Sequence, residues 1–77
     1  MLLAERGEYA QAIDAFERVC SLTPARAAPH FNVAFLLQRT GRHGEAIARF
    51  ERALQADPGL ERARRGLAVS LTQLEQK

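Results

Sequence analysis

The sequence has no tryptophan, a single cysteine and no long apolar run. One cysteine, Cys20, excludes a disulfide bond within the chain. No stretch approaches the roughly 20 consecutive apolar residues that cross a bilayer. The opening residues MLLAERGEYA combine a short apolar run with early acids, which is unlike a signal peptide. We therefore expect no membrane insertion and a cytoplasmic location.

Catalytic and metal-binding patterns are missing as well. His30 and His43 fall on different predicted helices, with no second ligand at a metal-binding spacing. Cys20 has no His/Asp or His/Asn pair at a recognisable motif spacing. Gly41 and Gly44 flank a helix turn and do not form a phosphate-binding loop. The sequence thus predicts a protein that is not an enzyme, with no catalytic residue, no cofactor and no metal.

The charges are nearly balanced and interspersed. Eleven basic and nine acidic residues give a net charge of +2. Three acid–base pairs have the acid first and a spacing of four residues, the stabilising order on a helix: Asp14–Arg18, Glu45–Arg49 and Glu61–Arg65. We interpret these charges as solvated helix faces and predict no nucleic-acid binding.

The sequence does contain a helical periodicity. Alanine, leucine, arginine and glutamate dominate, a composition that favours helices. Between residues 32 and 58, small or apolar residues recur at the spacing of one helical face, at Val33, Ala34 and Leu37 and then at Ala46, Ile47, Phe50, Ala53 and Leu54. Gly41 can adopt a positive φ and end the first helix, and Pro58 ends the second. This stretch is predicted to be a helical hairpin.

The chain also repeats itself at an offset of 34 residues. LLAERGEYAQAIDAFERVCSLTP aligns with LLQRTGRHGEAIARFERALQADP, which places Gly7 on Gly41 and Pro24 on Pro58. Helical composition alone would not put glycine and proline in register. We therefore interpret the chain as tandem helical hairpins.

We predict an all-α fold of stacked antiparallel hairpins with about five helices. These are the tail of a first helix at 1–6, followed by helices at 8–22, 27–40, 42–56 and 60–75. The single domain 1–77 would divide into a partial repeat (1–26), a full repeat (27–60) and a closing helix (61–77). The closing helix is predicted to cover the hairpin with one apolar face, formed by Leu60, Ala63, Leu67, Leu71 and Leu74.

The period and the pattern Ala-x3-Phe followed by Pro resemble the tetratricopeptide repeat. The residues that carry this resemblance are Ala12, Phe16 and Pro24 in one copy and Ala46, Phe50 and Pro58 in the other. The resemblance covers nearly the whole chain and implies a right-handed solenoid of stacked hairpins. The chain departs from the family pattern at His30, Val33, Ala34 and Leu37, where the family often has Trp, Leu, Gly and Tyr.

The resemblance implies a protein-interaction module or scaffold that binds a peptide or helix of a partner. The binding surface in such proteins is usually the concave groove lined by the first helix of each hairpin. The candidate groove residues here are Phe31, Asn32, Phe35, Gln38, Arg39, Arg62, Arg65 and Val69. Phe31 and Phe35 are one turn apart, outside the packing stripe, and are candidate anchors for an apolar side chain.

Asn32 together with Arg62 resembles the family's carboxylate clamp, which grips acidic C-terminal tails of heat-shock chaperones. The other basic clamp position falls on Gly66, however, and the positions from the first repeat fall at or before the first residue. The looser hypothesis is that Arg62 and Arg65, with Arg39, favour an acidic or carboxylate-bearing partner.

Two alternatives stay open. The chain could form a homodimer or larger homo-oligomer through Met1, Leu2, Leu3 and Tyr9, and such self-association, or the N-terminal helix, could also cover the two groove phenylalanines. It could otherwise be a regulatory or capping fragment of a larger enzyme, such as a glycosyl- or sulfotransferase with a repeat region.

Overall fold

A computed structural model describes residues 3–76, with side chains from residue 7 onward. The described chain forms four helices and no strand: α1 (Leu3–Leu22), α2 (Ala27–Arg39), α3 (His43–Ala56) and α4 (Glu61–Glu75). The predicted all-α fold is confirmed. Met1, Leu2 and the side chain of Leu3, which belong to the predicted self-association surface, lie outside the described part.

Each helix packs on the next one along the chain, and α2 also touches α4. The connections are short, at residues 23–26, 40–42 and 57–60, and turns of this length make successive helices antiparallel neighbours. The helices therefore stack as hairpins, as the sequence predicts.

The break predicted at Gly7 is wrong, because α1 runs through this residue without interruption. In the equivalent position, Gly41 has a φ of +84° and ends α2. There the amide of Arg42 donates to the carbonyl of Leu37 at 2.9 Å, and that of Gly41 to Gln38 at 3.1 Å, which is the Schellman arrangement. Glycine inside a helix costs about 1 kcal/mol relative to alanine, and α1 accepts it without a break.

The 34-residue period is visible in the hydrogen bonds of the turns. The amide of Arg26 donates to Thr23 O at 3.0 Å, and that of Leu60 donates to Asp57 O at 3.1 Å. One further bond closes the second turn, from the Gly59 amide to the Asp57 carboxylate at 3.1 Å. Equivalent residues of the two repeats therefore perform the same backbone role.

The core lies along the middle helices. Most of the predicted stripe is buried, with Val33, Ala34 and Leu37 on α2 packed against Ala46 and Phe50 on α3. Ile47 and Leu54, the two other large residues of the stripe, are half-buried. Cys20 is a buried free cysteine. Ile13, Ala53 and Ala63 are buried as well.

The predicted covering face of α4 is wrong in part. Leu60 and Leu67 are half-buried and Ala63 is fully buried, but Leu71 is 44% exposed and Leu74 is 41% exposed. The side of α4 that meets the core carries small residues instead: Ala63, Gly66 and the fully buried Ser70. Small residues let α4 approach α3 closely, and this approach fixes the rotation of the helix and leaves the two leucines outside.

The ion pairs also differ from the predicted spacing of four. Glu45 pairs with Arg42 at 2.7 Å, three residues earlier, and hydrogen bonds from this guanidinium lower the pKa of the Glu45 carboxyl. Arg49 instead reaches across to Glu17 on α1 at 2.6 Å. Glu61 lies 3.8 Å from Arg64. The charges thus serve a helix start and a helix–helix contact as well as solvated faces.

Candidate functional site

Six of the eight predicted groove residues surround one cavity of about 320 Å³ between α2 and α4. From α2 come Phe31, Phe35 and Gln38, and from α4 come Arg62, Arg65 and Val69, while Phe50 and Gly66 complete the lining. α2 and α4 are the equivalent first helices of successive hairpins, so the 34-residue period places them side by side. We call this cavity the α2–α4 groove.

Aromatic side chains line the floor of the groove. The ring of Phe31 lies 6.3 Å from that of Phe35, nearly parallel to it, and 5.8 Å from that of the buried Phe50. Phe31 is half-buried and belongs partly to the core, which corrects the expectation that the core does not need its face. Phe35 is 43% exposed. The accessible aromatic surface of the groove is therefore mainly that of Phe35.

Cationic side chains border this apolar floor. The guanidinium carbon of Arg62 lies 5.2 Å from the ring centre of Phe31, and that of Arg39 lies 5.7 Å from the ring centre of Phe35. Such stacking holds the long side chains against the rings while their charges face water. Among the described residues, Arg39, Arg62 and Arg65 form no ion pair, and α2 contains no acidic residue. The rim of the groove is therefore positively charged.

Asn32 lines an adjoining pocket of about 270 Å³. Phe31 and Arg62 line both this pocket and the α2–α4 groove, so the two form one continuous surface. Arg39 does not line the groove but stacks on Phe35 at its edge. The structure thus places all eight predicted residues along one strip of the molecule.

Gln38 also has a structural role, which the sequence pattern does not predict. Its side-chain amide donates to the carbonyl of Gly66 and to the hydroxyl of Ser70, both at 2.9 Å. These two bonds tie α2 to α4 at a point where Ser70 is fully buried. Gln38 thereby holds the two walls of the groove at a fixed separation.

We expect Gln38→Ala to lower the free energy of unfolding by about 1–3 kcal/mol, because the buried Ser70 hydroxyl loses its donor. Chemical denaturation followed by circular dichroism measures this. Gln55→Ala, the same change at an exposed position on α3, is the matched control and should cost less than about 0.5 kcal/mol. Equal stability of the two variants would contradict the bridging role of Gln38.

Gly66 stands where a carboxylate clamp would need a basic residue. A Cβ atom at this position would come within 2.3–2.4 Å of the Phe50 ring, well inside van der Waals contact. No lysine or arginine fits there without moving Phe50. The second basic position of a clamp is therefore closed in this chain.

A second and larger cleft, of about 610 Å³, lies between α1 and α3. Its lining includes Glu17, Cys20, His30, Arg49 and Arg52. Burial raises the pKa of the Cys20 thiol, with Arg49 opposing the shift, so the thiol is neutral at neutral pH and unsuited to act as a nucleophile. No sequence pattern indicated this cleft, since its residues come from distant positions without a motif spacing.

His30, at the base of this cleft, has a packing role. Its Nε2 lies 2.9 Å from the carbonyl oxygen of Pro24, which can only accept, so this nitrogen carries the proton and donates it. The equivalent residue of the next repeat, Arg64, donates to the carbonyl of Pro58 at 3.3 Å. The same position in both repeats thus fastens a helix to the turn before it.

No group of three or more His, Cys, Asp or Glu side chains among the described residues is placed to hold a metal ion. None of the four described helices combines the length and the apolar character needed to cross a membrane.

Comparisons with known proteins agree with this geometry. A TPR repeat model matches residues 2–41, and a tetratricopeptide repeat model matches residues 27–60. The chain is 34% identical over 67 residues to the TPR repeat-containing thioredoxin TTL4 of Arabidopsis thaliana. This match covers 87% of the chain and 10% of that protein, so the chain spans about one tenth of the length of this relative.

Proposed function

The chain belongs to the tetratricopeptide repeat family, and we propose that it binds an acidic peptide or helix of a partner protein in the α2–α4 groove. Repeats of this family are non-catalytic and generally mediate protein–protein interaction. In our proposal the chain acts by binding alone and performs no chemistry of its own.

The observation that carries the proposal is an exposed aromatic floor next to arginines that form no ion pair within the described part of the chain. The surface of Phe35, with Val69 across from it on α4, can take up an apolar side chain of the ligand. Burying such a side chain contributes about 1.5–3 kcal/mol. The apolar surface alone would not favour a charged ligand. The positively charged rim beside it favours a ligand that carries acidic residues.

The rim arginines supply the selectivity. Arg62 and Arg65 follow one another along α4 at a spacing of three residues, so both can point toward a ligand that lies in the groove. A guanidinium donates two parallel hydrogen bonds to a carboxylate. The preferred ligand would therefore carry an apolar or aromatic residue with one or more acidic residues beside it.

Selection from a random peptide library tests the proposal. We expect the selected peptides to be enriched in an aromatic or large aliphatic residue flanked by Asp or Glu. Isothermal titration with such a peptide should show at least about tenfold weaker binding to Arg62→Glu/Arg65→Glu, a loss of about 1.4 kcal/mol. Phe35→Ala should lower the affinity for the same peptide by a similar factor, because the exposed ring of Phe35 is the proposed anchor.

The matched control for charge reversal is Arg52→Glu, an exposed arginine that lies in the cleft between α1 and α3. This variant should bind the peptide like the original protein, apart from a small long-range electrostatic effect. Two results would refute the groove: selected peptides without acidic residues, or equal affinity for the double variant and the original protein.

A further inference from the structure

The contact surface between α2 and α3 is buried. The residues equivalent to its two sides lie on the outer helices α1 and α4, where they are partly exposed. The α2 half of the contact surface is Val33, Ala34 and Leu37, the α3 half is Ala46, Phe50 and Ala53, and all six are buried. The residues 34 positions before the α3 half lie on α1, and the residues 34 positions after the α2 half lie on α4.

On α1, the equivalent residues are Ala12, Phe16 and Val19, which we call the α1 face. Val19 is 42% exposed, and Ala12 and Phe16 are only half-buried. Their counterparts on α3 have no exposed surface. The α1 face contacts α2 on one side only, whereas the same face of α3 is enclosed between α2 and α4.

On α4, the equivalent residues are Leu67, Ala68 and Leu71, which we call the α4 face. Ala68 and Leu71 are exposed and Leu67 is half-buried, although their counterparts on α2 are completely or almost completely buried. Leu74 extends the same apolar strip by one turn. α4 is rotated so that Gly66 and Ser70 face the core, and this apolar strip therefore faces solvent.

We propose that a second copy of this chain places its α1 face on the α4 face of the first, repeating the packing of α3 on α2. Residues 9–76 span two periods of 34 in the order α1 to α4. A copy displaced by two periods therefore continues the stack in register. Phe16 of the second copy would take the place against α4 that Phe50 holds against α2.

This contact is head-to-tail, because each copy uses a different face on each side. A head-to-tail contact that does not close into a ring grows into an open chain of subunits. The contact leaves Phe35 and Val69 free, since neither belongs to the α1 face or the α4 face. The association is thus a property additional to peptide binding, and successive copies would extend the groove.

Sedimentation velocity of the 77-residue chain over a concentration series tests the proposal. We expect the average mass to rise with concentration through dimer to larger species. Val19→Glu and Leu71→Glu each place a charge at one face and should raise the dissociation constant more than about tenfold. Because each variant keeps one intact face, an equimolar mixture of the two should form a 1:1 dimer that grows no further.

The chain offers a matched control for each variant. Leu22→Glu changes an exposed leucine of α1 outside the α1 face, and Gln73→Glu changes an exposed residue of α4 outside both the α4 face and the groove. Both controls should associate like the original chain, and circular dichroism should show that all four variants are folded. A monomer at every concentration, a dimer that never grows, or two face variants that fail to pair when mixed would each overturn the proposal.

Discussion

Phe50→Ala is expected to remove about 3–5 kcal/mol from the free energy of unfolding. Phe50 is the largest fully buried side chain among residues 7–76, and its ring contacts both Phe31 on α2 and Gly66 on α4. Truncation leaves a cavity where α2, α3 and α4 meet. Domains are typically stable by roughly 5–15 kcal/mol, so the variant should be close to unfolding at 25 °C. Urea denaturation followed by circular dichroism measures the loss.

Phe35→Ala is the control for this prediction, since it makes the same change at an exposed site. Its stability should fall by less than about 1 kcal/mol, while its peptide binding falls as proposed above. A comparison of Phe50→Ala with Phe35→Ala therefore separates an effect on the free energy of unfolding from an effect on peptide affinity. A Phe50→Ala variant as stable as Phe35→Ala would show that the three helices do not depend on this ring.

Gly66→Ala is expected to destabilise the fold by about 1–3 kcal/mol, because the added methyl group overpacks a full core. This sign is opposite to the intrinsic preference, since alanine in a helix is favoured over glycine by about 1 kcal/mol. The Cβ atom would meet three ring atoms of Phe50, all within 3 Å. Phe50 is fully buried, so either its ring or α4 must shift to admit the methyl group. Thermal and urea denaturation report the change.

Gly44→Ala is the matched control, because a Cβ there meets no atom within 4 Å and Gly44 lies in the first turn of α3. It should be neutral or stabilise the fold by up to about 1 kcal/mol. Gly66→Ala combined with Phe50→Leu should lose less stability than the sum of the two single changes, since the smaller side chain makes room. A stabilising effect of Gly66→Ala would contradict the close approach of α4 to Phe50.

These two residues also connect stability to the groove. Phe50 forms part of the groove lining from below, and Gly66 permits α4 to lie close enough for Arg62 and Arg65 to border it. Gln38 then fixes the distance between α2 and α4. Changes at these structural positions should therefore alter peptide affinity indirectly, through the width of the groove.

The sequence by itself determined the helices and the turns, because their causes are local. Period-3.6 spacing placed α2, α3 and α4 to within about a residue of their observed bounds, and Pro58 and Gly41 ended helices through their own backbone preferences. The same spacing predicted most of the buried stripe of α2 and α3. The groove residues followed from the resemblance to the repeat family, in which equivalent first helices line one surface.

Only the tertiary structure decided how the helices are rotated and which distant groups meet. Helical periodicity gave α4 a leucine face, but the close contact of Gly66 with Phe50 turned Leu71 and Leu74 to solvent. The bonds from Gln38 to α4 join residues about 30 positions apart. Gly7 aligns with Gly41 in the 34-residue repeat, yet α1 runs through Gly7 whereas Gly41 ends α2. A local pattern fixes which residues share a face, whereas the distance and rotation between helices depend on side chains that are remote in the chain.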